Sequence, residues 1–206
     1  MGSLPKVLLT AFEPFAGAKF NSSAEVASWI ESQAITDLVV EILPVEYERS
    51  VEVALALIAE HNPDIVIALG QAEGRSKVSF ERVAVNLDDA KIADNSGEVR
   101  RDAAITEGGD AAFMANFPVR AVVGALQEKE FPVEESLSAG AFVCNHLFYG
   151  LMSHLKESGS HRWMEFIHLP LVTEQAEDFP GKPTLEREVQ GRTIIAAIEE
   201  ARKLWK

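Results

Sequence analysis

The run Asp64-Ile-Val-Ile-Ala-Leu69, closed by Gly70, constrains the fold of this chain more than any other stretch. It is apolar at nearly every position rather than at alternate ones. A strand with one wet face alternates, whereas a strand apolar throughout is buried on both faces, as in the middle of a parallel sheet. Such a sheet needs helices on both sides, and the rest of the chain supplies them. β-like runs at 6–11, 38–45, 78–86, 133–137 and 163–169 alternate with helical patterns at 22–34, 48–61, 118–127, after Cys144, and at 184–206. The expected class is α/β: a mostly parallel twisted sheet with helices on both faces. A length of 206 residues fits a single domain over 1–206 with a full core.

Local signals place the element ends. Ser22 with Glu25 three residues on reads as a capping box opening the first helix. Asn62-Pro63 stops the second, and Pro118 suits the first position of the third. Residues 87–109 are polar and poorly periodic, long enough for a functional loop or an excursion covering a site. Residues 154–162 read as a loop.

Composition excludes several classes. A net charge of −13 argues against nucleic acid, which is bound by neutralising phosphates. One cysteine leaves no intrachain disulfide, so an oxidising compartment is not needed. Residues 1–6 contain Pro5, and the apolar run at 7–9 is too short for a signal peptide. Lys6 stands where a myristoylation signal has Ser or Thr, and no run is long enough to span a bilayer. A cytoplasmic protein is expected. Gly70 to Arg75 is glycine-containing but lacks both a following Gly-Lys-Ser/Thr and a GxGxxG, so no nucleotide is expected. No His, Cys or Asp cluster has metal-ligand spacing. Neither a metal nor another cofactor is expected.

The single cysteine, Cys144, follows a β-like run and the small residues Ser138, Ala139 and Gly140. Leu147, Phe148, Leu151, Met152 and Leu155 come after it at helical spacing. Cys144 is thereby placed in the first turn of a helix, where unpaired N–H groups and the helix dipole favour a thiolate. The same N–H groups are suited to hold an oxyanion. The plain alternative is a small buried hydrophobe.

A nucleophilic thiol needs a base and often a group to orient it. Of the five histidines, His146 lies on the Cys144 helix and points away. His61, His154 and His161 fall at a helix end, far along that helix and in a polar loop. His168 ends a strand, between Ile167 and Leu169. In open α/β sheets ligands collect outside the carboxyl ends of strands, and Phe12, Phe15, Gln71, Cys144 and His168 all lie at such ends. Glu81 sits among Val78, Phe80, Val83 and Val85, where a carboxylate needs a partner; that partner is a base to orient or an ion pair with Arg75 or Arg82. Phe12 and Phe15 either fold into the core or wall a pocket.

These segments, in this order, resemble one family. Thr10-Ala-Phe-Glu-Pro-Phe15 with Asn21, Gly70 to Arg75, Phe80-Glu-Arg-Val-Ala-Val-Asn86, Ser136 to Asn145, and Phe166-Ile-His-Leu-Pro170 are similar to the motifs of the pyrrolidone-carboxylate peptidases (pyroglutamyl peptidase I), which are cysteine peptidases. The resemblance runs over nearly the whole chain. It implies hydrolysis of an N-terminal pyroglutamyl residue from peptides through a thioester on Cys144. His168 would be the base and later the acid, and Glu81 the group orienting it. Phe12, Phe15, Asn21, Gln71 and Phe142 would bind the lactam ring. The resemblance also implies small peptide substrates and a homo-oligomer, a homotetramer in this family.

Some positions depart from the family pattern. Lys91 stands for the usual arginine, Phe142 for a common tyrosine, Ala11 and Ala16 for glycines and Ser22 for a proline. Other readings are a cysteine amidohydrolase acting on a different cyclic or N-acyl amide, and a catalytically inactive pyroglutamyl-peptide-binding homologue. A nucleoside-processing enzyme is weakened by the missing phosphate motif.

Overall fold

A computed structural model describes residues 4–205. Residues 1–3, part of the start segment read above for targeting, and Lys206, the last residue of the expected terminal helix, lie outside it. The chain runs β1 (Val7–Phe12), α1 (Ser22–Glu31), β2 (Leu38–Leu43), α2 (Tyr47–His61), β3 (Ile65–Gln71), β4 (Val78–Glu81) and β5 (Val83–Val85). It continues through β6 (Ala112–Met114), α3 (Val119–Glu128), β7 (Val133–Ser136), α4 (Val143–Glu157), β8 (Trp163–Leu169), a 3-10 turn at Thr173–Gln175 and α5 (Arg187–Leu204).

Six strands form one sheet in the order β2-β1-β3-β8-β4-β7. The fully apolar run is β3, between β1 and β8, with every residue from Ile65 to Gly70 buried. Pairing is parallel except between β4 and β8. β4 and β7 therefore run against the other four.

Strand side chains alternate faces, and this splits the core in two. Leu9, Ile67, Phe80, Ile167 and Leu169 meet α1, α3 and α5. Leu8, Phe12, Val66, Met164 and Phe166 meet α2 and α4. Each such Leu or Ile contributes roughly 1.5–3 kcal/mol by leaving water, and truncating fully buried Leu147 to Ala is expected to cost about 2–5 kcal/mol. On the second face Gly150 of α4 is pressed against Val51 of α2, where a β-carbon would come within 2.9 Å of the valine.

Local details correct several expectations. Asn21, not Ser22, caps α1: its side chain accepts from Ser23 N, while Ser22 N donates to Gln71 Oε1. An amide carbonyl one residue earlier reaches the free N–H groups as well as a hydroxyl does. The helix stops at Glu31 rather than near Ala34, which takes a positive φ of 51°. Pro118 is the cap of α3, outside its first turn. The expected strand over 78–86 breaks at Arg82: β4 stays in the main sheet and β5 pairs antiparallel with β6 in a separate two-stranded sheet, a pairing not foreseen in the sequence. α4 carries through His154 to Glu157, shortening the expected loop, and α5 begins at Arg187 rather than at 184.

The segment 87–109 is pinned rather than loose. Asn145 of α4 exchanges two hydrogen bonds with Val85, accepting at 2.9 Å and donating at 2.9 Å, and donates to Leu87 O at 3.0 Å. Asp94 accepts from Tyr47 N, Ser96 N, Ser96 Oγ and Glu98 N, and these bonds hold its carboxyl below the usual range against its burial. Asn95 donates to Glu13 Oε1 and Pro14 O, fixing the excursion to the loop that carries Phe15.

Candidate active site

Period-two alternation decides what gathers here. Gly70, His168 and Glu81 all stand on the face covered by α2 and α4. His168 pairs with Gly70 on one side and with Ser79 on the other. Because β4 is antiparallel to β8, Glu81 lies diagonally two residues from that pairing, within reach of a long side chain. His168 Nδ1 is 2.8 Å from Glu81 Oε1. A carboxylate only accepts, so Nδ1 carries the hydrogen and Nε2 is left as the basic nitrogen.

Glu81 is fully buried. Both partners considered from sequence are present together: Arg75 Nη2 also forms an ion pair with Glu81 Oε1, at 2.8 Å, and donates to Ser138 O at 3.0 Å. One arginine thus ties the buried carboxylate to the loop leading into α4. Arg82 pairs instead with Glu135, at 2.6 Å. Arg75 was one of the two ion-pair candidates read from sequence, but its second contact, with Ser138 O, was not foreseen.

Cys144 is the second residue of α4, and the cap residue Phe142 offers no side-chain hydrogen bond to the helix end. The N–H groups of Val143, Cys144 and Asn145 have no partner inside the helix. The Sγ sits above Gly70, where a β-carbon would meet Sγ at 3.0 Å and the Phe166 ring at 2.8 and 2.9 Å. A β-carbon here would crowd both the Phe166 ring and the thiol, so one of them would have to shift.

The expectation of a lowered thiol pKa is corrected. Burial pushes Cys144 up to about 12, the negative charge of Glu81 adds to this, and its own backbone N–H only partly opposes it. Cys144 as a residue is half-buried, but its thiol is desolvated by its surroundings, and desolvation outweighs the helix end. A pKa raised this far leaves the thiol neutral near pH 7.

Thiol and imidazole open into a cavity of about 150 Å³ walled by Phe12, Phe15, Phe142, Val45, Val143 and Ala139, with Asn21 and Gln71 as further polar residues. An apolar cavity of about this volume holds one benzene ring. Phe12 serves both readings made of it, being buried yet lining the cavity. Phe15 and Phe142 lie 6.1 Å apart, ring to ring. Val45 and Ala139 were not foreseen as walls.

Asn21 spends most of its amide locally, donating to Glu13 O and accepting from Ser23 N and Oγ. Gln71 is held differently. Val172 N donates to Gln175 Oε1 at 3.0 Å, which turns the Gln175 amide so that its Nε2 donates to Gln71 Oε1 at 2.9 Å. Ser22 N donates to the same oxygen at 2.8 Å. Two donors fill both lone pairs of that oxygen, so Gln71 has only its NH2 to offer a ligand. Gln175, almost fully buried, left no mark in the sequence.

His146 turns from the site and bonds Asp88 Oδ2 through Nδ1 at 2.8 Å. Lys91 is exposed. Among the described residues no three His, Cys, Asp or Glu side chains gather as metal ligands, and no helix is long and apolar enough to cross a membrane.

Comparison with known proteins gives one consistent result. A family profile described as pyroglutamyl peptidase matches residues 5–204. A pyrrolidone-carboxylate peptidase of Bacillus thuringiensis is 40% identical over 195 residues, 94% of this chain and 91% of that protein. Pyrrolidone-carboxylate peptidase 1 of Ralstonia nicotianae is 40% identical over 200 residues, 96% of this chain and 91% of that protein. The crystal structure of pyroglutamyl peptidase I from Bacillus amyloliquefaciens has a TM-score of 0.92 at 36% identity, covering 97% of this chain and 96% of that one. A mutant pyrrolidone carboxyl peptidase from the hyperthermophile Pyrococcus furiosus has a TM-score of 0.90 at 35% identity, over 97% and 99% of the two chains.

Proposed function

We propose that this chain, which belongs to the pyroglutamyl peptidase family, hydrolyses the amide bond after an N-terminal pyroglutamyl residue of a peptide, with Cys144 as nucleophile. The observation that carries these roles is the 2.8 Å contact of His168 Nδ1 with buried Glu81 beside a cavity that also holds Cys144.

His168 Nε2 takes the thiol proton as Sγ attacks the carbonyl carbon. Because the thiol is neutral at rest, proton transfer and attack are linked. The oxyanion is held by N–H groups of the first turn of α4. The C–N bond then breaks, His168 returns the proton to the departing amine, and a thioester remains on Cys144. Water, deprotonated by His168, attacks the thioester; free pyroglutamate leaves and the thiol regains its proton. Glu81 keeps the imidazole in the correct tautomer and balances its transient charge.

The lactam ring is flat and neutral, which suits aromatic walls and a few polar groups. Phe12, Phe15 and Phe142 supply the walls, and the NH2 of Gln71 meets the lactam carbonyl, with Asn21 at the cavity edge. We read the protein further as a single-domain cytoplasmic enzyme without metal or cofactor, acting on small peptides and assembling as a homotetramer; the family supports the assembly.

The test is hydrolysis of a pyroglutamyl aminocoumarin amide under reducing conditions, with Cys144→Ala beside the wild type and glutaminyl and prolyl amides as controls. Release from the pyroglutamyl substrate alone, lost in the variant, is expected. Silence from folded wild type would move weight to another amide substrate.

A further inference from the structure

The proposed reaction leaves a second cavity without a role. It is larger than the first, about 490 Å³, and the two share Phe15 and Gln71 as walls. Phe20, Ile92 and Phe179 add apolar lining. Phe20 is 40% exposed and Ile92 45%. Large apolar side chains left open around a concavity next to a reaction centre mark a surface that waits for a ligand.

The two cavities meet at the carboxyl end of β3. His168 pairs with Gly70, and the next residue, Gln71, is the wall between the two cavities. His168 is also the group that protonates the departing amine. With the lactam ring in the small cavity, the rest of the peptide must pass out of it, and the large cavity adjoins it along Phe15 and Gln71. The large cavity is about three times the size of the first, more than a lactam ring fills. The charged lining residues Lys19, Glu73 and Asp178 are exposed, and Glu73 is engaged by Lys182 at 3.1 Å. No buried charge waits for a partner among its lining residues.

We propose that this second cavity receives the residue that follows pyroglutamate and selects a large apolar side chain there. The proposal rests on the peptidase reading above. Moving a phenylalanyl side chain from water against Phe20, Ile92 and Phe179 favours it over glycine by about tenfold or more.

The full-length protein is assayed with pyroglutamyl-phenylalanine amide and pyroglutamyl-glycine amide, and the ratio of their kcat/KM values is the readout. Wild type is expected to prefer the phenylalanyl substrate by about tenfold or more. Phe20→Ser, a change at an exposed loop position that leaves folding intact, and Phe179→Ala are each expected to pull the ratio toward one. A ratio near one in wild type, or a ratio that survives both variants, overturns the proposal while leaving the peptidase reading standing. Wild type that cleaves neither substrate overturns both.

Discussion

A β-carbon on Gly70 would lie 3.0 Å from Cys144 Sγ and still closer to the Phe166 ring. Gly70→Ala is therefore expected to displace the Cys144 thiol. The kcat on a pyroglutamyl amide should fall by roughly a hundredfold, and overpacking should lower stability by about 1–3 kcal/mol in urea unfolding. A kcat within about twofold of wild type would mean that the thiol does not occupy this place.

The high thiol pKa of about 12 predicts slow alkylation at neutral pH. The iodoacetamide rate at Cys144 should climb about tenfold per pH unit from pH 7 to pH 9, tracking the thiolate fraction. A plateau below pH 8 would show an ion pair already formed with His168. The folded thiol is raised above its unfolded value of 9.0. Its stabilising contribution is thus whole below that value and is lost as pH rises toward the folded one.

Arg75→Met removes the group that binds Glu81 and Ser138 O together. The buried carboxylate then keeps His168 alone. The kcat/KM is expected to drop by about ten- to a hundredfold, and the acid limb of its pH profile should move, because the charge balancing Glu81 is gone. Arg75→Lys should recover only part of this, since a point charge cannot make both contacts. Unchanged profiles in both variants would make Arg75 a bystander.

Gln175→Leu frees one lone pair of Gln71 Oε1 and lets that amide turn over. The KM for pyroglutamyl substrates is expected to rise about tenfold, the worth of one hydrogen bond, with a smaller change in kcat. Discrimination against the prolyl amide, which lacks the lactam carbonyl, should shrink in step. A fall in kcat at constant KM would place the effect elsewhere.

Glu165 is fully buried on the opposite face of β8 from His168, and among the described residues neither carboxyl oxygen has a partner within hydrogen-bond geometry. Burial raises its pKa well above the ordinary value, and the charge of Glu81 adds to this. A raised folded pKa means that stability is complete below the unfolded value and is lost as pH rises toward the folded one. Compared with Glu165→Gln, wild type should lose up to about 1.4 kcal/mol per pH unit above pH 5. Parallel urea curves from pH 5 to pH 8 would exclude this.

Much of the fold was legible because periodicity is local. The unbroken apolar run became β3, and the ends of β8 fell where the pattern placed them. Cys144, His168 and Glu81 stood out as candidates because each was a polar or reactive group in or beside an apolar segment, and the structure sets His168 against Glu81 and puts Cys144 and His168 on one cavity. The carboxyl-end rule drew Phe12, Gln71 and His168 together correctly, but it could not deliver Glu81, which comes from a strand running the other way. The Ser22 capping box failed because Asn21, one residue earlier, was the nearer acceptor. Gln175 was invisible because its role depends on Val172, Gln71 and Ser22 meeting, three segments far apart in the chain.

The sequence by itself determined most of the strands and helices, the side chains that stand out as candidates for chemistry, and the family to which the chain belongs. Those properties reside in neighbours along the chain: spacing, residue type, turn chemistry. Only the tertiary structure decided the direction of β4, the closeness of Sγ to Gly70, the shared hold of Arg75 on Glu81 and Ser138, and the neutral state of the thiol. Register, crowding and desolvation arise where distant segments pack, and in Cys144 the loss of water outweighed the helix end that the sequence had placed beside it.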